Sequence, residues 1–492
     1  MTRYRHLITD DNSKWWTLGA MCFALFMIML DNTVVNVALP SIQSDLGSTL
    51  SGLEWTVNGY TLSIAVLLAT GGRLGDIFGR RRVFLIGVVL FAASSMAAGV
   101  ALGTTTLIIS RIVQGVGAAL MMPATLSIVT NAFEPHERGK AIGTWAGVSA
   151  LALAIGPVVG GLLAEHVSWR AIFFLNIPVA VGAVVATLFA VRESRDESVG
   201  RQVDYLGVGT LTVGLTALVL ALIEGNAWGW GSAAIVGLFT TSVLMLVGFV
   251  LIERRVAAPV VEFPLFGDRN FIGANLVALI VTFAMLAQFF FLALYIQDIL
   301  GYSPLAAGVR FLPATLMIVL IAPLAGRLTD RIGPRWLIGA GLVLVSAALY
   351  WLTTIEISTT YADIWPSFIL MGVGMALVMS PMSTAAMNAV PLAKAGVASG
   401  ILSMNRMIGG TLGVAVIGAV FQAQAPAGTH DPAAFVHAFS SAMWVATGVA
   451  VAGALVAVTM LRGRADRAPT LAEAEAPATP AGELAAPHQS PA

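Results

Sequence analysis

Long runs of apolar residues, separated by short polar stretches, fill almost the whole chain. Fourteen such runs can be marked, and a helix of about 20 residues is long enough to cross ~30 Å of hydrocarbon. They are approximately 15–39, 53–72, 83–101, 107–131, 141–164, 171–191, 205–223, 232–252, 271–296, 306–328, 336–355, 364–390, 396–421 and 434–461. The pattern predicts an all-α integral membrane protein with 14 transmembrane helices. An even number of spans places both termini on the same side.

Composition supports this class and excludes several functions. The chain is 58% hydrophobic and 11% charged, whereas soluble domains are about 25% charged. The net charge is zero, so the chain lacks the excess of positive charge that is typical of nucleic-acid-binding proteins. The single cysteine, Cys22, and six scattered histidines indicate neither a disulfide framework nor a metal centre. Without a nucleotide-binding loop or a nucleophile–base pair, we expect a protein that is not an enzyme and needs no cofactor.

The basic residues predict the orientation. With the N-terminus inside, 22 of the 26 lysines and arginines lie in inner loops or tails or within two residues of one, and only Arg170 lies in an outer loop. By the positive-inside rule, both termini are cytoplasmic. The Ala, Gly and Val content is typical of a GC-rich bacterium, so we expect a multi-pass protein of the bacterial cytoplasmic (inner) membrane. The outer loops instead collect acids, among them Asp45, Glu54, Glu165, Glu224, Glu356, Asp363 and Asp431.

One acid interrupts the first apolar run. Asp31 lies in LDNTVVNVALP (residues 30–40), with CFALFMIM just upstream. An ionised carboxylate at that depth costs roughly 2.5–3.5 kcal/mol on insertion scales, so it is seldom present without a function. Of the 26 acidic residues, we expect no other to lie so far from the membrane surface. We therefore predict that Asp31 takes up and releases a proton while the chain changes conformation.

The chain contains an internal repeat. GGRLGDIFGRRR (71–82) returns as AGRLTDRIGPRW (325–336), which aligns Gly72, Asp76 and Gly79 with Gly326, Asp330 and Gly333. GVGAALMMPATLS (115–127) returns as GVGMALVMSPMST (372–384). The repeat predicts two pseudo-symmetric six-helix bundles, residues 1–191 and 256–462, with a linker loop and two additional helices between them in 192–255. The Ala- and Pro-rich tail 463–492 is predicted to be disordered. Two such halves suit alternating access around a shared site.

Five stretches, in order, resemble motifs of the major facilitator superfamily, in its fourteen-helix branch of drug:proton antiporters. They are LDNTVVNVALP, GRLGDIFGRRR, RIVQGVGAA (111–119), GPVVGG (156–161) and WRAIFFLNIP (169–178). The resemblance covers everything except the two tails. It implies a proton-coupled efflux transporter that exports hydrophobic drug-like or antibiotic compounds, driven by the proton gradient and expected to be monomeric. Alternatives are an exporter of an endogenous lipid or secreted metabolite, and a proton symporter for uptake.

Arg111 is the expected partner of Asp31. Counted along their helices at 1.5 Å per residue, Asp31 lies roughly 13 Å and Arg111 roughly 7 Å below the same surface, a difference that an arginine can span. Burial disfavours the charged carboxylate and a nearby cation favours it, so a conformational change would alter proton binding. The resemblance implies a role in proton transfer for Arg111. The alternative is a static ion pair that only fixes helix packing.

Two further motifs have implied roles. The loop residues Gly72, Asp76, Gly79, Arg80 and Arg81, with Asp330 from the repeat, resemble a cytoplasmic latch that gates the transporter; alternatively, the arginines only set the topology. In the fifth segment, the resemblance implies an antiport motif of Gly156, Pro157, Gly160 and Gly161. Proline there removes a backbone donor, and the glycines allow close helix packing, which is also common for packing alone.

A substrate cavity is expected to be lined by aromatic, methionine and amide side chains, which suit apolar ligands of varied shape. The candidates are Asn32, Asn36, Trp55, Asn58, Tyr60, Met121, Met122, Gln288, Phe291, Tyr295 and Asn405. Each could instead face lipid or pack between helices. Because Asp31 is expected to be the only deep acid, the sequence favours neutral or singly charged cargo.

Overall fold

The computed structural model describes residues 10–134, 137–195, 203–256, 259–391, 394–425 and 431–462. Within these ranges the chain forms 14 helices that are long and apolar enough to cross a membrane, and no strand. The tail 463–492, for which the sequence predicts disorder, lies outside the described residues.

The helices match the fourteen predicted segments, and most extend beyond them into polar sequence. Their bounds are α1 Asp10–Leu46, α2 Leu50–Phe78, α3 Arg80–Gly99, α4 Thr104–Ala132, α5 Arg138–His166, α6 Arg170–Phe174 with Asn176–Ala190, α7 Tyr205–Trp228, α8 Ala233–Glu253, α9 Arg269–Leu294 with the π-helical turn Tyr295–Ile299, α10 Pro304–Arg310 with Leu312–Ile332, α11 Pro334–Leu352, α12 Tyr361–Asn388, α13 Ala395–Gln424 and α14 Pro432–Met460.

Polar caps fix the residues at which several helices begin. Thr49, the N-cap of α2, accepts a hydrogen bond from the Gly52 amide at 3.2 Å. Asp204 does the same at the start of α7, from the Gly207 amide at 2.8 Å. Each cap satisfies a backbone donor that the first helical turn leaves unpaired. As a result α2 begins at Leu50, before the predicted start at residue 53.

The internal repeat is present as repeated packing. In the first bundle, α1–α6, a β-carbon at Gly87 of α3 would lie 2.9 Å from the carbonyl oxygen of Gly117 on α4. In the second bundle, α9–α14, one at Gly341 of α11 would lie 2.7 Å from the carbonyl oxygen of Gly374 on α12. Glycine is required at both contacts because a side chain would force the helices apart. The same glycine contact therefore recurs at corresponding positions of the two halves.

Helices α7 and α8 pack against each other, and α7 also packs on α2 and α13. Asn226 of α7 donates a hydrogen bond to the carbonyl oxygen of Ala419 on α13, at 2.7 Å. Only 17% of the most apolar stretch of 18 residues in α8 is buried. The additional pair thus lies along the line where the two bundles meet, with α8 on the outside of the molecule.

We call the face where α1 begins and α14 ends the terminal face, and the face where α1 ends and α2 begins the distal face. Near the distal face, hydrogen bonds join the two bundles. Gln297 of α9 donates to the Val37 carbonyl oxygen of α1 at 2.9 Å, and the Leu305 amide of α10 donates to Glu165 of α5 at 2.9 Å. The distal ends of the bundles are therefore packed together.

Candidate functional site

Asp31 is fully buried inside the first bundle. Its Oδ2 forms an ion pair with Nη1 of Arg111, from α4. Its Oδ1 accepts hydrogen bonds from Gln114 Nε2 of α4 and Asn176 Nδ2 of α6, each at 2.9 Å. Three side chains therefore hold the carboxylate, which faces the interior of the bundle and not lipid.

Arg111 is held just as firmly and is 1% exposed. Its Nε donates to the Thr56 carbonyl oxygen of α2 at 3.1 Å, and its Nη1 donates to Gln114 Oε1 at 2.8 Å. Its guanidinium lies 4.2 Å from the ring centroid of Tyr60, a cation–π contact. The ion pair expected from the sequence is present, and Tyr60, proposed as a cavity residue, contributes to it.

Ser95 of α3 completes this network. Its hydroxyl accepts from Gln114 Nε2 at 3.3 Å and Asn176 Nδ2 at 3.0 Å, and donates to the Phe173 carbonyl oxygen at 2.8 Å. We define Asp31, Ser95, Arg111, Gln114 and Asn176 as the buried charge cluster. Ser95, Gln114 and Asn176 were not predicted from the sequence. Two of them lie in motifs that the sequence analysis recognised, Gln114 in RIVQGVGAA and Asn176 in WRAIFFLNIP. Their position as polar residues within these motifs could have identified them as site residues.

The glycine motif of α5 lies between the two bundles. A β-carbon at Gly156 would overlap Thr33, and one at Gly160 would overlap the Val34 carbonyl oxygen; both are on α1, just after Asp31. A β-carbon at Gly161 would overlap the Pro304 carbonyl oxygen of α10. In turn, Gly308 of α10 packs against the carbonyl oxygen of Pro157. The motif therefore connects the helix that carries Asp31 with the second bundle.

The loop between α2 and α3 turns at Gly79, whose φ of 108° favours glycine. Asp76 forms an ion pair with Arg80 at 2.8 Å. The Glu193 carboxylate accepts hydrogen bonds from the amides of Arg81 and Arg82, at 3.0 and 3.2 Å, and so caps α3. Glu193 was not predicted from the sequence, because it lies in a loop more than a hundred residues away.

The remaining gating candidates are Gly72 and Asp330. Gly72 lies against Pro123 of α4. The side chain of Asp330 lies outside the described part of the structure. Asp76 pairs with Arg80, four residues later in the chain and in the same bundle, so this ion pair does not join the two bundles. The proposed latch between the bundles therefore remains a prediction.

Several cavity candidates pack within one bundle. Met121 is fully buried against Gly87, and Phe291 is fully buried with its ring 5.1 Å from that of Phe421. Asn405 donates to Asn275 Oδ1 at 2.9 Å. Asn36 donates to the Asn32 carbonyl oxygen of its own helix at 3.4 Å, and Trp55 and Met122 are half-buried.

Four candidates keep buried polar atoms without a hydrogen-bond partner. These atoms are Asn32 Oδ1, both amide atoms of Asn58, Gln288 Oε1 and the Tyr295 hydroxyl. Leaving such a group unpaired costs about 1–3 kcal/mol. They are the cavity candidates with hydrogen-bonding capacity left for a ligand or water.

The expectation that Glu54 lies in an outer loop is wrong, and Asp31 is not the only acid buried within a span. Glu54 lies in the second turn of α2 and is fully buried. The cause is twofold: the Thr49 cap starts the helix early, and α13 packs over this turn, which hydropathy cannot reveal. The preference for neutral or singly charged cargo loses its basis.

Comparisons with known proteins agree on one family. A model of the Major Facilitator Superfamily matches residues 21–414. The chain is 36% identical over 406 residues to the tetracenomycin C resistance and export protein of Streptomyces glaucescens, covering 82% of this chain and 75% of that one. It is 37% identical over 473 residues to the puromycin resistance protein pur8 of Streptomyces alboniger, covering 93% of each. Among solved structures, an inward-facing bacterial homolog of the human lysosomal transporter Spinster shares the fold, with a TM-score of 0.64, 17% identity and coverage of 91% and 96%.

Proposed function

The chain belongs to the Major Facilitator Superfamily and is a multi-pass membrane protein, and from this premise we propose that it is a proton-coupled antiporter that exports hydrophobic drug-like or antibiotic compounds by alternating access. The observation that carries the proposal is a carboxylate, Asp31, buried against Arg111 beside the helix that joins the bundles. Relatives named for antibiotic resistance and export support the direction and the class of cargo.

The proposed setting is the cytoplasmic membrane of a bacterium. The excess of Lys and Arg near the terminal face supports cytoplasmic termini, so the distal face is the outer one. Cargo then enters from the cytoplasm or inner leaflet and leaves through the distal face. The protein acts as a monomer, uses the proton gradient in place of a cofactor, and has no nucleic-acid partner.

The buried charge cluster gives protonation a structural consequence. In the present arrangement, ionised Asp31 balances Arg111 and accepts two further hydrogen bonds. A proton on Asp31 would leave the buried Arg111 cation without its anion, which is unfavourable enough to drive the cluster into another arrangement. Protonation and conformation are therefore linked at this site.

The α5 motif offers the route from this site to the distal face. Gly156 and Gly160 pack on α1 close to Asp31, while Gly161 and Pro157 pack on α10. Such contacts have no room for independent movement, so a shift of α1 displaces α5 and with it the contact between the bundles. Proton exchange at Asp31 is thereby coupled to the opening and closing of the distal face.

Transport in inside-out vesicles tests the proposal. With an imposed proton gradient, the parent should accumulate at least one compound from a panel of antibiotics and hydrophobic dyes that includes puromycin, and Asp31→Asn should abolish this accumulation. Asp45→Asn is the matched control, because Asp45 is on the same helix but pairs with Arg170 near the distal end. Accumulation that survives Asp31→Asn refutes the role of Asp31, and proton-driven movement in the opposite direction refutes export.

A further inference from the structure

Glu54 is buried where the two bundles meet. Its Oε1 accepts a hydrogen bond from Gln422 Nε2 of α13 at 3.1 Å, and a β-carbon at Gly418 would overlap the same oxygen. Its Oε2 is buried without a partner. The carboxyl group is therefore enclosed by the second bundle and served by one neutral donor.

Among the described residues, the charged groups near Glu54 provide no cation that pairs with it. From α7, the charged group that interacts with it is Glu224, another acid. From α4, Arg111 reaches α2 at the Thr56 carbonyl oxygen, but its guanidinium is paired with Asp31. From α1, Asp45 is bound to Arg170, and α13 presents the amide of Gln422. Because an ionised carboxylate cannot stay buried without a counter-charge, Glu54 is neutral in this arrangement.

Glu54 begins a polar stripe along α2 that faces α13. Asn58 lies one turn further along, with both amide atoms buried and unpaired. Thr61 follows, and its hydroxyl lies 2.9 Å from that of Thr411 on α13. The spacing i, i+4, i+7 places all three on one helix face. Since Glu54 and Thr61, at the two ends of the stripe, contact α13, the stripe stays dry only while the bundles are packed together.

We propose that Glu54 is a proton-operated gate of the distal face: the contact between α2 and α13 closes when Glu54 is protonated and opens when it is ionised. Separation of the helices admits water, which solvates the carboxylate; closure requires a proton from the solution on that side. Acidity on the distal side therefore favours closure after cargo has left. The inference rests on the proposed alternation of the distal face between closed and open states.

Distances between two spin labels on the full-length protein in lipid nanodiscs test this gate. Ser44, near the end of α1, and Ser358, in the loop after α11, are both exposed and belong to different bundles. Cys22, the single native cysteine, is replaced by Ala in every variant. In the parent background, the ratio of molecules with the long distance to molecules with the short distance should increase as the pH is raised. Because opening releases one proton, the increase should be up to about tenfold per pH unit around the transition.

The variants separate Glu54 from its neighbours. Glu54→Gln should stay at the short distance at every pH, and Glu54→Asp should keep a transition with a shifted midpoint. Glu224→Gln, which changes the neighbouring acid, should keep the transition. Opening of Glu54→Gln with the pH profile of the parent overturns the proposal, as does an unchanged midpoint in Glu54→Asp. The aspartate variant also keeps the test decisive if the glutamine variant does not fold.

The same spin labels distinguish a failure of the gate proposal for Glu54 from a failure of the proposed transport function. If the distance in the parent changes neither with pH nor on addition of a transported compound, alternating access itself is refuted. If it changes on addition of the compound but not with pH, only the gate role of Glu54 is refuted.

Discussion

Removal of one charge from the Asp31–Arg111 pair should destabilise the protein far more than removal of both. In Asp31→Asn, the buried Arg111 cation keeps only neutral acceptors, which include the Thr56 carbonyl oxygen and Gln114 Oε1. In Arg111→Gln, Asp31 keeps the donors Gln114 and Asn176 but loses its cation. The double variant contains neither charge, and its amides can bond to each other and to the same neighbours.

The expected magnitudes follow from these remaining partners. Breaking a buried ion pair by removing one partner costs about 3–5 kcal/mol. Arg111→Gln should fall near the lower end of that range, because two amide donors still satisfy the carboxylate. Asp31→Asn should fall near the upper end, because no anion remains beside the cation. The double variant should cost less than the sum of the two, with a coupling energy of about 2–3 kcal/mol.

A double-mutant cycle on the free energy of unfolding measures this coupling, for example by titration with a denaturing detergent in mixed micelles. The control cycle uses Asp45→Asn and Arg170→Gln, a pair whose side chains are 47% and 29% exposed. Each single control substitution should cost far less than the buried substitutions, because solvent screens an exposed ion pair. If the effects of the two single substitutions sum to the effect of the double substitution within about 0.5 kcal/mol, the ion pair does not hold the cluster together.

Two other contacts give further predictions. Gly161→Ala would force a β-carbon onto the Pro304 carbonyl oxygen, so the transport rate should fall severalfold, whereas Gly182→Ala, with open space around it, should leave the rate unchanged; equal rates in the two variants would count against the α5 contact. Glu193→Ala removes the acceptor for the amides of Arg81 and Arg82 and should lower the free energy of unfolding by about 1 kcal/mol, against no change for the exposed control Glu356→Ala.

The helices and the central ion pair could be predicted because each leaves a local signal. A run of about 20 apolar residues is long enough to span a bilayer wherever it occurs. A charge inside such a run is rare, so Asp31 and Arg111 were conspicuous, and their depths along two helices placed them within reach. One glycine of the repeated GVG segments likewise lies at a real contact in each half, Gly117 against Gly87 and Gly374 against Gly341.

The remaining site residues depend on packing between distant helices. Gln114 and Asn176 are neutral amides, which helices tolerate in many positions, and only the assembly of α1, α4 and α6 directs both onto Asp31. Glu54 stands close to a predicted segment end, where an acid ordinarily meets water. Its burial results from α13, more than 350 residues later, and no pattern within α2 indicates that cover.

Proton release on cargo binding tests the role of Asp31 most directly. A transported compound is added to the purified full-length protein in weakly buffered detergent solution, and the change in pH is recorded. The parent and Asp45→Asn should release protons as the compound binds, because binding shifts molecules with protonated Asp31 into the arrangement in which Asp31 pairs with Arg111 as an anion. Asp31→Asn should bind the compound without that release. Equal proton release from the parent and from Asp31→Asn would contradict the assignment of Asp31 as the coupling carboxylate.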